Sequence, residues 1–209
     1  MGFFIVSQGV QSFSGATHPA VNFFIMTRVA LVGHSQLPHS LEVEGADIEM
    51  FRAPGGRVDE FYDDERMSDV LKEEWDLVIV WLGSNDIDYD TNTGQLVSEL
   101  LDVCETIVNA CQAVVKICLI EPRFYPDGYV GHDDYKKIQR SVNRKLLKAG
   151  YGTLHFHTQG YVNEIDEDGV HFTPEGKHMV KNKLRTAIQG FVESDEDSTS
   201  DSDSDSDSD

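Results

Sequence analysis

Two short stretches carry residues whose types and spacing could do chemistry. Arg28 to Ser40 reads RVALVGHSQLPHS: an apolar run breaks at Gly33-His34 and leaves the hydroxyl of Ser35 where a strand gives way to a turn. Near the other end, DEDGVHFTPEG sets Asp168 three residues before His171, just ahead of a helix start. In a tight turn that spacing lets the carboxylate reach the Nδ1–H of its own local histidine. The carboxylate then fixes the tautomer and steadies the imidazolium, while Nε2 is left to face a serine. Acyl transfer also needs donors for a developing oxyanion. The candidates are the backbone N–H of Ser35, the backbone N–H of Gly56, where no Cβ obstructs a substrate, and the side-chain amide of Asn85 in GSND.

These groups lie far apart in the chain, so strands must gather them. RVALVG reads as a buried strand, and a short helix after it is expected despite Pro38. ADIEMFRAPGG is a second strand ending in a Gly-Gly turn. VDEFYDDERMSDVLKEE reads as a polar helix with Val58, Phe61, Val70 and Leu71 as its apolar positions. DLVIVWLGSND is the clearest central strand, apolar on both faces as a parallel sheet requires. A helix opened by Asn92-Thr-Gly-Gln95 fits a capping box and carries Leu96, Leu100, Cys104, Ile107 and Cys111 as its stripe. AVVKICLIEP is a fourth strand. DDYKKIQRSVNRKLLKAG is a helix with Tyr135, Ile138, Val142 and Leu146 inward and Gly150 as its stop. TLHFH is a short fifth strand, and the last helix starts with Thr173 as N-cap and Pro174 at its first position.

The alternation implies a three-layer α/β/α sandwich around a five-stranded parallel sheet. Ligands in such sheets bind at the carboxyl ends of the strands. Gly33–Ser35, Gly55–Gly56 and Gly83–Asp86 all fall at those ends. With strand order 2-1-3-4-5, Ser35 on the first strand and His171 beyond the last can still meet through the loop carrying Asp168 and His171.

Composition bounds the function. The chain has 209 residues and a formal net charge of −20, but from Glu193 onward the stretch ESDEDSTSDSDSDSDSD holds nine acids and no base. The body before it keeps 28 acids against 17 bases, a net of −11. Without a basic stripe, nucleic-acid binding through the folded domain is not expected. Three domains of sequence follow: an N-terminal extension at 1–27, a folded body at 28–192, and an acidic Ser/Asp tail at 193–209 that cannot offset its ordering entropy by burial. Residues 1–25 lack the basic start of a signal peptide, and Gln8, Gln11, His18 and Pro19 break their apolar pieces. No segment reaches the length of a membrane span. Cys104, Cys111 and Cys118, seven apart, suit neither a disulfide framework nor a zinc site. Buried reduced thiols and a cytoplasmic or nuclear setting are the expectation.

A Gly-His-Ser-Gln start also occurs at nucleophile elbows of α/β-hydrolases. Leu37 stands where the elbow needs a second glycine, and a single confident strand precedes Ser35, so that reading fails. The ordered set Gly33-His34-Ser35, Gly56, Gly83-Ser84-Asn85-Asp86 and Asp168-Gly-Val-His171 instead resembles the four blocks of the SGNH hydrolase superfamily, also called GDSL-type esterases. The resemblance spans about Arg28 to Phe191. It implies a flavodoxin-like fold and hydrolysis of small carboxylic esters without metal or other cofactor. It also implies Ser35 as nucleophile, His171 as general base then acid, Asp168 as orienter, and Ser35, Gly56 and Asn85 as the oxyanion hole. Two positions depart from the pattern: His34 replaces the usual aspartate before the nucleophile, and Gln36 follows the serine, with leucine only at 37.

Each residue also has a plainer role. Ser35 could be a turn serine and His171 a surface histidine, while Asp86 reads as a turn former. His155 and His157 share one face of a strand, but no matching acid or cysteine cluster supports a metal pair. Phe124, Tyr125 and Tyr129 could wall an acyl or alcohol pocket or simply pack their loop. The body could be a non-catalytic module whose acidic tail binds basic proteins, or the same site could pass its acyl group to another alcohol.

Overall fold

In the computed structural model, residues 26–124, 130–156 and 164–199 are described, with side chains as far as Ser194. Five parallel strands run β1 (Thr27–Gly33), β2 (Ala46–Arg52), β3 (Leu77–Trp81), β4 (Val114–Cys118) and β5 (Gly152–Leu154). Their order is β2-β1-β3-β4-β5, the expected one. β1 pairs in parallel with both β2 and β3, so Gly33 lies level with Arg52 on one side and Trp81 on the other. The three motif-bearing loops therefore leave the sheet side by side.

Side-chain alternation divides the core in two. Ala30, Val32, Val78 and Val80 face one side, where they pack with Leu96, Leu100, Cys104 and Ile107 of α2 (Thr93–Cys111) and Tyr135, Val142 and Leu146 of α3 (His132–Leu146). Val29, Leu31, Leu77, Ile79 and Trp81 face the other side, covered by Val180, Leu184, Ile188 and Val192 of α4 (Pro174–Thr199). Each such side chain taken fully out of water contributes roughly 1.5–3 kcal/mol before entropy is counted. The three cysteines are buried and unpaired. Among the described residues, no helix is long and apolar enough to cross a membrane.

Helix ends follow local chemistry. Asn92 Oδ1 accepts from the N–H groups of Gly94 and Gln95, capping α2. The reciprocal half of a capping box is missing, because Gln95 Nε2 donates forward to Glu99 instead. Thr173 Oγ1 accepts from Gly176 N–H and Pro174 opens α4, as expected.

Three expectations need correction. No helix follows β1; residues 34–45 run as turns and bends. The long polar helix over 58–74 is reduced to one α turn, α1 (Glu65–Ser68), and a 3₁₀ turn over Asp69–Lys72. Asp64 caps the backbone N–H of Arg66, so the helix begins there, and Val58 N–H is held by Asp86 Oδ1. Third, α4 continues to Thr199, into the stretch expected to be a tail. Extending a formed helix needs no new nucleus, so acidic residues can follow Val192 in helical geometry. Residues 1–25 of the expected N-terminal extension and the tail from Ser200 lie outside the described residues, whereas Thr27, the last residue of that extension, opens β1.

Candidate active site

β1 delivers Ser35 to the carboxyl rim of the sheet. Its carbonyl accepts from Arg52 Nη2 at 3.2 Å, and Arg52 Nη1 reaches His39 Nδ1 at 2.7 Å, so the end of β2 braces the turn. The half-buried Ser35 hydroxyl makes no hydrogen bond among the described residues.

Asp168 and His171 meet within one turn. His171 Nδ1 lies 2.6 Å from Asp168 Oδ2, while Asp168 Oδ1 accepts the backbone N–H groups of Val170 and His171 at 2.8 Å each. Gly169 permits this wrap with φ +68°, a backbone region that L side chains rarely adopt. Burial alone would raise the carboxyl; the hydrogen bonds from His171 and Val170 outweigh it and bring Asp168 down to about 2. A carboxylate that accepts on Nδ1 leaves His171 Nε2 as the proton-accepting nitrogen. The pair is half exposed, with 48% of each side chain accessible.

The turn is docked on the core. Phe172, fully buried, lies against Trp81 with ring centroids 6.2 Å apart. Gln36 Nε2 donates to Val170 O at 2.7 Å, and Phe172 N–H donates to Gln36 Oε1 at 3.4 Å. Both neighbours of His171 are thus bonded to the residue that follows Ser35. The sequence flags Gln36 as a motif departure but gives no hint of these partners.

Asn85 is half-buried at the end of β3, and its amide is oriented chemically. Arg123 Nη2, a donor, lies 2.7 Å from Oδ1, and Nδ2 donates to Gly56 O at 3.0 Å. Since guanidinium can only donate and a carbonyl can only accept, the two amide ends cannot be exchanged. One Nδ2 hydrogen is left over. Gly56 differs from expectation: its N–H is committed to Ala53 O at 2.8 Å, closing a turn with Pro54 and Gly55 at its corner and Gly55 at φ +77°. A Cβ on Gly56 would stand 2.8 Å from Ala53 O, so glycine is required there by packing. Its N–H can serve an oxyanion only if that bond is shared or broken. Asp86 is buried and structural, holding Val58 N–H at 3.0 Å, and burial pushes its carboxyl up to about 6.

Next to Ser35 lies a buried polar network that the motifs do not announce. His34 Nδ1 accepts from Gln36 N–H at 3.3 Å; His34 Nε2 lies 3.1 Å from Ser84 Oγ and 3.5 Å from Glu121 Oε1. Glu121 Oε2 accepts from Trp81 Nε1 at 3.0 Å, and Arg123 Nη2 donates to Ser84 Oγ at 3.0 Å. Burial holds His34 below the ordinary imidazole value, which agrees with an Nδ1 that accepts a hydrogen bond. Burial works against charge on Glu121, but the Arg123 guanidinium and the Trp81 N–H hold its carboxyl below the usual range. Both acidic and basic members sit in EPRFYP, which the sequence presents only as a loop.

Of the other candidates, His155 is exposed and lies beyond β5, which ends at Leu154 rather than running through TLHFH as expected; His157, Tyr125 and Tyr129 lie outside the described residues. Phe124 stacks on His132 with centroids 5.9 Å apart and packs against the α4-side core. Among the described residues no group of three His, Cys, Asp or Glu could hold a metal ion.

Comparison with solved structures finds a lipase/acylhydrolase from Enterococcus faecalis at 14% identity, covering 79% of this chain and 97% of that one, with a TM-score of 0.60. A carbohydrate esterase family 3 protein from Talaromyces cellulolyticus aligns at 14% identity over 81% of this chain and 99% of its own, TM-score 0.59. A GDSL-like lipase from Bacteroides thetaiotaomicron aligns at 17% identity over 79% and 89%, TM-score 0.59. Likeness at this identity speaks for the fold. A search of curated protein sequences returns no match. The model of the GDSL-like Lipase/Acylhydrolase family matches residues 30–179, from within β1 to within α4. That span takes in the Ser35 turn, the Asn85 loop and the Asp168–His171 turn, and the chain therefore belongs to the GDSL-like lipase/acylhydrolase family.

Proposed function

We propose that the protein is a serine esterase that hydrolyses small carboxylic esters, acetyl or short acyl, by two successive acyl transfers. One observation carries the reading: a 2.6 Å Asp168–His171 pair stands in a turn bonded on both sides of His171 to the residue next to Ser35. His171 Nε2 accepts the proton of Ser35 as Oγ attacks the ester carbonyl, and Asp168 steadies the resulting imidazolium. Ser35 N–H and the remaining Asn85 Nδ2 hydrogen face the developing oxyanion, with Gly56 N–H joining them if its turn opens. The imidazolium then protonates the departing alcohol. Water repeats the sequence on the acyl-enzyme, and no metal or redox step is required.

The small-acyl assignment draws support from the family and from acetyl xylan esterase among the structural neighbours. Fluorophosphonate labelling combined with hydrolysis of p-nitrophenyl acetate tests the mechanism. Wild type labels and turns over; Ser35→Ala loses the label and about a thousandfold or more of the rate. Wild type that takes no label, or an alanine variant of undiminished speed, would overturn it.

A further inference from the structure

We infer that Gln36 is a positioning residue whose buried amide clamps the His171 turn onto the Ser35 turn, a role that rests on the esterase reading above. Gln36 is 5% exposed. Its side chain makes two hydrogen bonds to segments 134 and 136 residues away in sequence, donating to Val170 O and accepting from Phe172 N–H. Those two residues flank His171. A carbonyl can only accept and a backbone N–H can only donate, so the amide has one orientation that satisfies both.

Other bonds shape the turn without tying it to the nucleophile. Asp166 N–H donates to His171 O, Phe124 N–H to Gly169 O, and Thr173 N–H to Glu164 O. None of these reaches the chain around Ser35. Gln36 does, and its own backbone N–H is anchored on His34 Nδ1 at 3.3 Å. The two departures from the usual Gly-Asp-Ser-Leu pattern are therefore coupled: the buried imidazole fixes the backbone of the glutamine, and the glutamine fixes the catalytic histidine turn. Leucine at 36, the residue of the usual pattern, has no group for either partner.

The test compares wild type with Gln36→Leu and Gln36→Met, the second keeping a long unbranched side chain so that packing is separated from hydrogen bonding. Hydrolysis of p-nitrophenyl acetate is read as kcat and KM, and amide hydrogen exchange is followed over residues 168–173. In both variants kcat falls about tenfold to a hundredfold, the scale of a displaced catalytic group. KM stays within about threefold, because the loss falls on the chemical step. Exchange in the turn quickens. A methionine variant with wild-type kcat, a rise in KM alone, or unchanged exchange each overturns the clamp. If wild type neither hydrolyses the ester nor takes a fluorophosphonate label, the esterase reading fails instead, and hydrogen exchange still decides whether Gln36 holds the turn.

Discussion

Among the described residues, two imidazole–carboxylate pairs stand on either side of Gln36, and they are built differently. His34 and Glu121 are sealed, with side chains 1% and 0% accessible and the facing atoms 3.5 Å apart. His171 and Asp168 are half open at 2.6 Å. In the buried pair both ring nitrogens are engaged, Nδ1 by Gln36 N–H and Nε2 by Ser84 Oγ, with Glu121 Oε1 close by at 3.5 Å. In the open pair Asp168 takes Nδ1 and leaves Nε2 outward. An imidazole serves as a proton carrier only when one nitrogen has somewhere to send the proton; enclosed on both sides, it becomes a brace. Proximity of histidine to an acid does not by itself mark a catalytic pair.

Breaking the open pair has the largest expected effect. His171→Ala lowers ester hydrolysis by about a thousandfold or more while leaving the melting temperature close to wild type, since the side chain is half exposed. The pH profile of wild type sharpens the point. Asp168 has a folded value of about 2, below its ordinary one, so its stabilising contribution is present above about pH 4 and is lost only as the pH falls through 2. Asp168 therefore stays ionised on mild acidification, and a loss of activity there does not report its protonation.

Breaking the sealed pair is a stability experiment. His34→Asp restores the aspartate usual at that position but sets a second buried carboxyl against Glu121, and thermal melts should show a loss of about 3–5 kcal/mol. Adding Glu121→Gln removes the repulsion and recovers most of it. A stable single variant would mean the carboxylate of Glu121 does not govern this site. The smallest effect concerns Asp86, buried with Oδ2 unpartnered among the described residues. Its folded value of about 6 exceeds the unfolded one, so its ionisation weakens the fold as the pH rises from about 4 through 6. Asp86→Asn should stabilise by about 1–3 kcal/mol at pH 7.5, with the gain gone near pH 4. Melts at the two pH values check it.

Much of this was legible in one dimension because it is local. VALV and LVIVW are apolar on both faces, which marks central parallel strands, and Thr173-Pro174 announces α4 by its capping chemistry. Asp168 and His171 form their bond across three residues, so spacing alone could carry it. The region from Val58 to Glu74 misled because its apolar residues are buried without a continuous helix: Val58, Phe61, Met67 and Val70 reach the core from turns. Gly56 suggests freedom of approach in the sequence, whereas its N–H closes a turn on Ala53 O. Gln36, Arg52, Glu121 and Arg123 were invisible as site residues, since each acts on a segment brought near only by the completed sheet.

Trp81 offers a use for this arrangement. Its indole N–H bonds Glu121, its ring meets His34 edge-on at 5.4 Å, and it lies against Phe172, the residue after His171. The chain has two tryptophans, and the other, Trp75, packs with Phe51 beneath Arg28 in the opposite core layer. With Trp75 replaced by phenylalanine, the emission of the remaining indole becomes a built-in lamp between the two histidines, reporting events at either one without any added label.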